Sequence, residues 1–162
     1  MSVTSPLTWN EQLALDNRRM DQTHQEFVDL VERIYQSEGE AELAALDELI
    51  AHTEAHFEME ERWMDLTGFA RDNCHSKQHN MVLTLMREVA RRAREGEQSF
   101  VKRLAEELTT WLPEHVDMMD AALAFHCQQV TFDCDTETFT DPSKQPGPAH
   151  ESVSGCGSDS CA

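Results

Sequence analysis

The segment CHSKQHNMVLTLMREVARRAREG, residues 74–96, decides how this chain folds. It begins with His75 and His79, which are four residues apart, so on a helix both side chains project from one face. Its apolar residues then recur at the spacings of three and four that are typical of an amphipathic α-helix: Val82, Leu85, Met86 and Val89. The segment therefore predicts a helix with an apolar face that carries two metal-binding side chains near its start.

The same period recurs in three other segments, before and after this one. Breaks fall near residues 37–40, 66–72 and 95–99, and each break is short. Four helices of about 20 residues with short connections predict an all-α, up-down-up-down antiparallel four-helix bundle. The periodic residues are Phe27, Leu30, Val31 and Ile34; Leu43, Leu46, Leu49 and Ile50; and Leu104, Leu108, Trp111, Leu112, Val116, Met119 and Leu123.

Composition divides the 162 residues into three parts. Residues 1–17 are expected to form an N-terminal arm that packs on the bundle, and residues 18–132 the bundle itself. Residues 133–162 are acidic and contain Pro, Gly, Ser and Cys, so we expect a flexible C-terminal tail. Cys156 and Cys161 in this tail are candidate redox or metal-binding thiols, and the alternative is a solvated tail with no fixed role.

Charge and hydropathy exclude several classes of function. The formal net charge of −18 repels phosphate backbones, so we expect no nucleic-acid partner. No apolar run is long enough to span a bilayer, and no secretory signal is visible, so we expect a cytoplasmic protein without membrane insertion. A protein partner reached through the tail is left open.

Histidines and carboxylates form a pattern of pairs along the helices. His56 and Glu60 are four residues apart, as are His75 and His79, whereas His115 and Asp120 are five apart. His24 stands alone on the first helix. Distances counted from the loops place six of these residues at similar depths in the bundle and His24 about 9 Å shallower, an offset that helix tilt can absorb. Burial of so many polar groups without a partner would be very costly. A metal cluster is the natural compensation, because imidazoles chelate metals and a carboxylate can bridge two of them.

Two other kinds of metal site fit less well. A thermolysin-like zinc site needs HExxH, but Ser76 stands at the glutamate position between His75 and His79. Ferritin-like di-iron oxidases use Glu-x-x-His, which this chain does not contain.

The sequence resembles the hemerythrin family, specifically its single-domain bacterial members (bacteriohemerythrins). The resemblance covers about residues 9–127, and all seven ligand positions of the family pattern hold the expected residue type. It is carried by Trp9, MDQTHQEF around His24, HFEMEE from His56, HSKQH from His75 and WLPEHVDMMD from Trp111 to Asp120.

The resemblance implies a non-haem di-iron centre that binds O2. One iron would take His75, His79 and His115, and the other His24 and His56. Glu60 and Asp120 would bridge the irons together with an oxo or hydroxo group, and O2 would bind at the iron with two histidines. Trp111, Leu112 and Val116 match positions that line the family's O2 pocket, although ordinary core packing also explains them. His52, one turn before His56, is expected to lie in a second layer or at the surface.

Helix geometry raises one difficulty for this ligand set. On a regular helix, His115 and Asp120 point about 140° apart, so they cannot both face one centre. Pro113 lies just before them and cannot donate a helical hydrogen bond. We therefore predict a kink or a π-type bulge near Pro113.

Three functions follow from such a centre. The primary expectation is a protein that binds O2 reversibly for transport, storage or delivery, and that is not an enzyme. The second is a sensor of O2 or redox state that signals in trans. The third is a di-iron enzyme that acts on peroxide or NO, for which the sequence offers no identified proton donor or substrate channel.

Overall fold

The computed structural model describes residues 7–70 and 73–147. Helices account for most of these residues, and a short hairpin follows them. The helices are α1 Arg18–Gln36, α2 Glu40–Thr67, α3 Cys74–Arg94, α4 Ser99–His115 and α5 Ala121–Gln129, with a π-helical turn at Val116–Asp120 between α4 and α5. The strands are β1 Phe132–Asp133 and β2 Thr138–Phe139, and 3-10 turns occupy Glu11–Leu13 and Pro142–Lys144.

The helices form the predicted four-helix bundle, in which α4, the π-helical turn and α5 together make the fourth long helix. Helix α1 packs against α2 and α4, and α3 packs against the same two neighbours. The connections are as short as expected, and asparagines cap two of the helices. Asn17 Oδ1 accepts from Met20 N at 3.1 Å, and Asn73 Oδ1 accepts from Ser76 N at 2.8 Å.

Two apolar clusters fill the bundle. The larger cluster lies toward the loops at residues 37–39 and 95–98 and includes Phe27, Leu49 and Met86. The smaller cluster lies toward the other end and includes Trp63 and Leu123. Along each long helix, the buried histidines and the carboxylates Glu60 and Asp120 fall at or close to the junction between these clusters. The bundle therefore holds a polar layer across its core.

The N-terminal arm contacts the bundle in the part that the structure describes. Leu7 and Leu13 are buried in the larger cluster, and the half-buried Trp9 packs against it. Residues 1–6 lie outside the described residues.

Residues 133–147 differ from the flexible tail that composition predicts. Antiparallel pairing of β1 with β2 brings the rings of Phe132 and Phe139 to 5.2 Å. The indole of the fully buried Trp63 donates to Glu137 Oε1 at 3.1 Å, and Arg62 pairs with the same carboxylate. This part of the predicted tail therefore belongs to the folded domain, because two aromatic rings and one buried indole anchor it. Residues 148–162 lie outside the described residues.

None of the helices in the described ranges is both long and apolar enough to cross a membrane.

Candidate metal centre

The structure brings all seven predicted residues together, from all four long helices. They form two groups of potential ligand atoms, each contained within 4.8 Å. One group comprises His75, His79 and His115 with both carboxylates, and the other comprises His24 and His56 with the same carboxylates, Glu60 and Asp120. Every member is buried.

One-turn spacing explains the pairs on α2 and α3. His56 Nε2 lies 2.8 Å from Glu60 Oε1, and the His75 and His79 ring centres are 4.4 Å apart. Side chains four residues apart share one face of a helix, so both pairs point into the bundle.

The π-helical turn explains how His115 and Asp120 meet despite their spacing of five. The Ala121 N–H bonds to the carbonyl of Val116, five residues back, and the Val116 N–H is shared between the carbonyls of Leu112 and Pro113. The wider turn aligns residues that are five apart, and His115 Nε2 lies 3.1 Å from Asp120 Oδ1. The predicted distortion is therefore present, and it begins three residues after Pro113.

The two carboxylates divide their oxygens between the two histidine groups. Asp120 turns Oδ2 toward His24 at 3.0 Å and Oδ1 toward His75 at 2.8 Å. Glu60 turns Oε1 toward His56 and Oε2 toward His75, at 2.8 and 3.1 Å. A carboxylate with one oxygen in each group has the arrangement of a bridge between two metal ions.

Two histidines form hydrogen bonds through Nδ1, the nitrogen that points away from the centre. These bonds determine the protonation of Nε2, the nitrogen that faces the centre. His79 Nδ1 donates to Glu61 Oε1 at 3.3 Å, and His115 Nδ1 donates to Gln78 Oε1 at 2.9 Å. In the neutral rings, the Nε2 atoms then carry lone pairs, and these two atoms lie only 3.2 Å apart. A proton or a metal ion between the two atoms would remove this repulsion.

Other buried atoms at the centre also lack hydrogen bonds. His24 Nε2 and both oxygens of Asp120 form none among the described residues, although His24 Nε2 lies 3.0 Å from Asp120 Oδ2. Buried polar atoms that face each other without hydrogen-bond geometry are typical of ligands arranged around an ion. The donor set of five imidazoles and two carboxylates suits a di-iron site.

Without metal, the negative charges of the two carboxylates are balanced by protons on the neighbouring imidazoles. Burial would raise the pKa of Asp120, but His115, His24 and His75 hold it well below the usual range. Burial would lower the pKa of His75, but its contacts with Asp120 and Glu60 raise that pKa to about 9. The carboxylates are thus ionised, and a metal that binds here displaces protons from the imidazoles.

Aromatic and aliphatic side chains enclose the histidines. Phe57 stacks on His79 with ring centres 3.7 Å apart, and Trp111 stacks on His115 at 4.4 Å. Leu112 and Val116 are fully buried in the larger apolar cluster beside them. The assignment of Trp111, Leu112 and Val116 to an O2 pocket stays a prediction.

Sequence reasoning missed the residues that hold the outer nitrogens. Glu61 and Gln78 are neighbours of predicted ligands, and Ser76 Oγ in turn donates to Glu61 Oε2 at 2.8 Å. The sequence does contain a signal for such residues: a metal-binding imidazole needs a polar partner for its second nitrogen, and polar residues adjacent to predicted ligands are candidates for it. His52 is half-buried and pairs with Glu26 Oε2 at 3.1 Å, outside both ligand groups.

The candidate thiols Cys156 and Cys161 lie outside the described residues.

Comparisons with known proteins agree with this geometry. Residues 15–124 match the family model of the hemerythrin HHE cation binding domain. A bacteriohemerythrin of Ralstonia nicotianae is 40% identical over 114 residues, which cover 70% of this chain and 83% of that protein. A bacteriohemerythrin of Pseudomonas aeruginosa is 27% identical over 71% of this chain and 77% of its own length. A myohemerythrin of Riftia pachyptila is 26% identical over 73% of this chain and 91% of its own length. No solved structure matches significantly.

Proposed function

We propose that this chain, which belongs to the hemerythrin family, binds O2 reversibly at a non-haem di-iron centre. The observation that carries the proposal is the division of the two buried carboxylates. Glu60 and Asp120 each present one oxygen to the three-histidine group and one to the two-histidine group. This arrangement supports two metal ions held side by side, and a single ion would leave one group without a partner.

We assign His75, His79 and His115 to one iron and His24 and His56 to the other. Glu60 and Asp120 would be shared by the two irons, together with an oxo or hydroxo group. The second iron has one protein ligand fewer, so we assign O2 binding to that side. When bound, the two irons supply the electrons that O2 takes up on binding and recover them when O2 leaves.

The protein's own residues favour reversible binding over further chemistry. Five neutral imidazoles and only two carboxylates leave the centre with less negative charge than a carboxylate-rich site, and this favours the reduced state of the metal. Phe57 and Leu112 help to exclude water from the centre, which opposes loss of the bound gas through side reactions. Glu61 and Gln78 fix two of the rings through their outer nitrogens.

We further propose that the chain serves O2 transport, storage or delivery in the cytoplasm. All proposed ligands for this role lie within the bundle. A sensor that acts in trans and a di-iron enzyme would share the same centre, and reversible O2 binding separates the enzyme from the other two.

The test is a reversible colour change. Full-length protein is loaded with Fe(II) without oxygen, exposed to O2 and then returned to an oxygen-free atmosphere while the visible charge-transfer band is followed. A carrier gains the band and loses it over repeated cycles. A band that decays in air within seconds, or that disappears with turnover of added peroxide, contradicts the proposal.

A matched pair of variants on α2 locates the activity. His56→Gln removes a proposed ligand and should abolish the reversible band. His52→Gln changes the histidine one turn earlier, which pairs with Glu26 outside the ligand groups, and should leave the band unchanged. Circular dichroism of both variants checks that the bundle is intact. Equal loss of the band in both would contradict the ligand assignment.

A further inference from the structure

Two thiols lie close together outside the metal centre. Cys127 on α5 and Cys134 just after β1 are both free thiols, and both are buried in the smaller apolar cluster. A tight connection joins them, in which Thr131 has a positive φ of 56°. Cys134 belongs to the segment that composition assigns to a flexible tail. The hairpin folds back on α5, so both side chains belong to one apolar cluster and face one cavity.

Both thiols line a cavity that opens to solvent. Its volume is about 600 Å³, and its lining includes Leu15 and Asn17 from the segment before α1 and Phe132 from β1. Such a volume far exceeds what a molecule as small as hydrogen peroxide needs. A small oxidant can therefore reach the pair although both side chains are largely shielded from bulk water.

Asn17 makes the two thiols chemically different. Its Nδ2 donates to Cys134 Sγ at 3.2 Å, while its Oδ1 accepts from Met20 N as the cap of α1. A hydrogen bond donated to sulfur stabilises a thiolate, which is the reactive form of cysteine.

The electrostatic surroundings point in the same direction. The hydrogen bond from Cys127 lowers the pKa of Cys134, and Asn17 lowers it further, against burial and the opposing charges of Asp133 and Asp135. The same hydrogen bond and burial raise the pKa of Cys127. Cys134, which accepts the Asn17 hydrogen bond, is thus the sulfur of the pair that ionises first.

We propose that Cys127 and Cys134 form a peroxide-reactive dithiol that closes to a disulfide between α5 and the hairpin. The Cys134 thiolate attacks one oxygen of hydrogen peroxide and the O–O bond breaks. Cys134 becomes a sulfenic acid, and the released hydroxide combines with the proton that Cys134 gave up on ionisation. Cys127 sulfur then attacks Cys134 sulfur, the S–O bond breaks, and the Cys127 proton leaves with the hydroxide as a second water. Two thiols are oxidised to one disulfide, and one peroxide is reduced to two waters.

The test maps thiols in the full-length, metal-loaded protein after treatment with one equivalent of hydrogen peroxide. Remaining thiols are alkylated, and chymotrypsin cleaves after Phe132, so that Cys127 and Cys134 fall on separate peptides. Mass spectrometry should find these two peptides linked. If peroxide consumes other cysteines while Cys127 and Cys134 are both alkylated, the proposal is wrong. Closure by diamide but not by peroxide also overturns it.

Variants separate the two roles. Cys127→Ser should let the sulfenic acid of Cys134 accumulate, where dimedone traps it, whereas Cys134→Ser should leave Cys127 unoxidised. Trapping at Cys127 instead would reverse the roles and overturn the proposal.

Asn17 is a positioning residue in this scheme. Asn17→Asp keeps the capping oxygen of α1 and removes the amide donor, so it should slow the peroxide reaction about tenfold at neutral pH and move its pH profile upward. An unchanged rate and profile would show that the Asn17 contact does not act on the sulfur.

Discussion

At the residue scale, the centre depends on which nitrogen of each imidazole carries the proton. His79 and His115 donate through Nδ1 to Glu61 and Gln78, which leaves Nε2 of both rings free to bind metal. The contact with His79 in turn lowers the pKa of Glu61, so this residue is an anionic acceptor. A metal site of this kind therefore extends beyond its ligands to the groups that orient them.

Loss of this outer contact should weaken metal binding. Glu61→Ala removes the acceptor for His79 Nδ1, and we expect the metal affinity to fall by about 10- to 100-fold. A competitive titration of metal against a chromophoric chelator measures the change. Glu58→Ala alters an exposed acid on the same helix and is the matched control. Equal metal affinities in the two variants would show that Glu61 does not support the metal site.

At the scale of elements, the fourth helix shows how a local defect serves the site. The π-helical turn lets residues five apart act as a one-turn pair, and Pro113 precedes it inside α4. Because proline has no N–H, the helix lacks one hydrogen bond at this position. The sharing of the Val116 N–H between Leu112 and Pro113 marks the transition to the wider turn.

Pro113→Ala tests whether the π-helical turn depends on the proline. Since the turn starts three residues later and is held by the contacts of Asp120, we expect it to persist in the variant. The restored N–H should raise the free energy of unfolding by about 1–3 kcal/mol. Urea unfolding measures this change, and an unaltered visible spectrum of the iron-loaded variant reports the site. A variant that loses the spectrum would show that the proline itself sets the π-helical turn.

The hairpin adds an element that ties the end of the described chain to α1 and α2. Glu137 accepts from the indole of Trp63, and Asp135 pairs with Arg18 at 3.0 Å. The first contact has a fully buried donor, whereas both partners of the second are largely exposed.

These two contacts should contribute differently to the free energy of unfolding. Glu137→Ala leaves the Trp63 N–H buried without a partner, and we expect a loss of about 1–3 kcal/mol in the free energy of unfolding. Asp135→Ala, two residues away, removes only a surface ion pair and should leave stability unchanged. Urea unfolding of both variants checks the difference. A similar loss in both would mean that the hairpin is held by charge and not by the indole.

The elements also show where the sequence is informative. The helices could be predicted because periods of three and four are repeated over many turns. The seven clustered residues followed from their pairing along the chain together with the resemblance to hemerythrins, and the distortion near Pro113 from an impossible angle on a regular helix. The hairpin could not be predicted, because its two aromatic residues stand in an acidic segment rich in turn-forming residues, and Trp63, which anchors it, is about 70 residues away in the sequence. Glu61 and Gln78 could not be selected from several nearby polar residues, since side-chain direction decides which of them meets a ring.

At the scale of the whole molecule, the polar layer is both a weakness and a binding site. It interrupts the core between two apolar clusters and places two fully buried carboxylates at its centre. Without metal, protonated imidazoles must neutralise these charges, and burial opposes that protonation. The stability of the bundle should therefore depend on the metal that replaces the protons.

Metal loading should consequently raise the melting temperature. All four long helices contribute proposed ligands, so a metal that binds only the folded bundle stabilises it by about 2.7 kcal/mol when its free concentration is 100 times Kd. For a domain of this size, that corresponds to a rise of about 5–10 °C, measured by calorimetry with Fe(II) in the absence of oxygen. Mg2+ has the same charge but prefers oxygen ligands, so it should produce little change at equal concentration. The comparison is demanding because the chain carries a net charge of −18, which any divalent cation screens. If Mg2+ stabilised the protein as much as Fe(II), screening of the acidic surface, and not occupation of the histidine layer, would account for the effect.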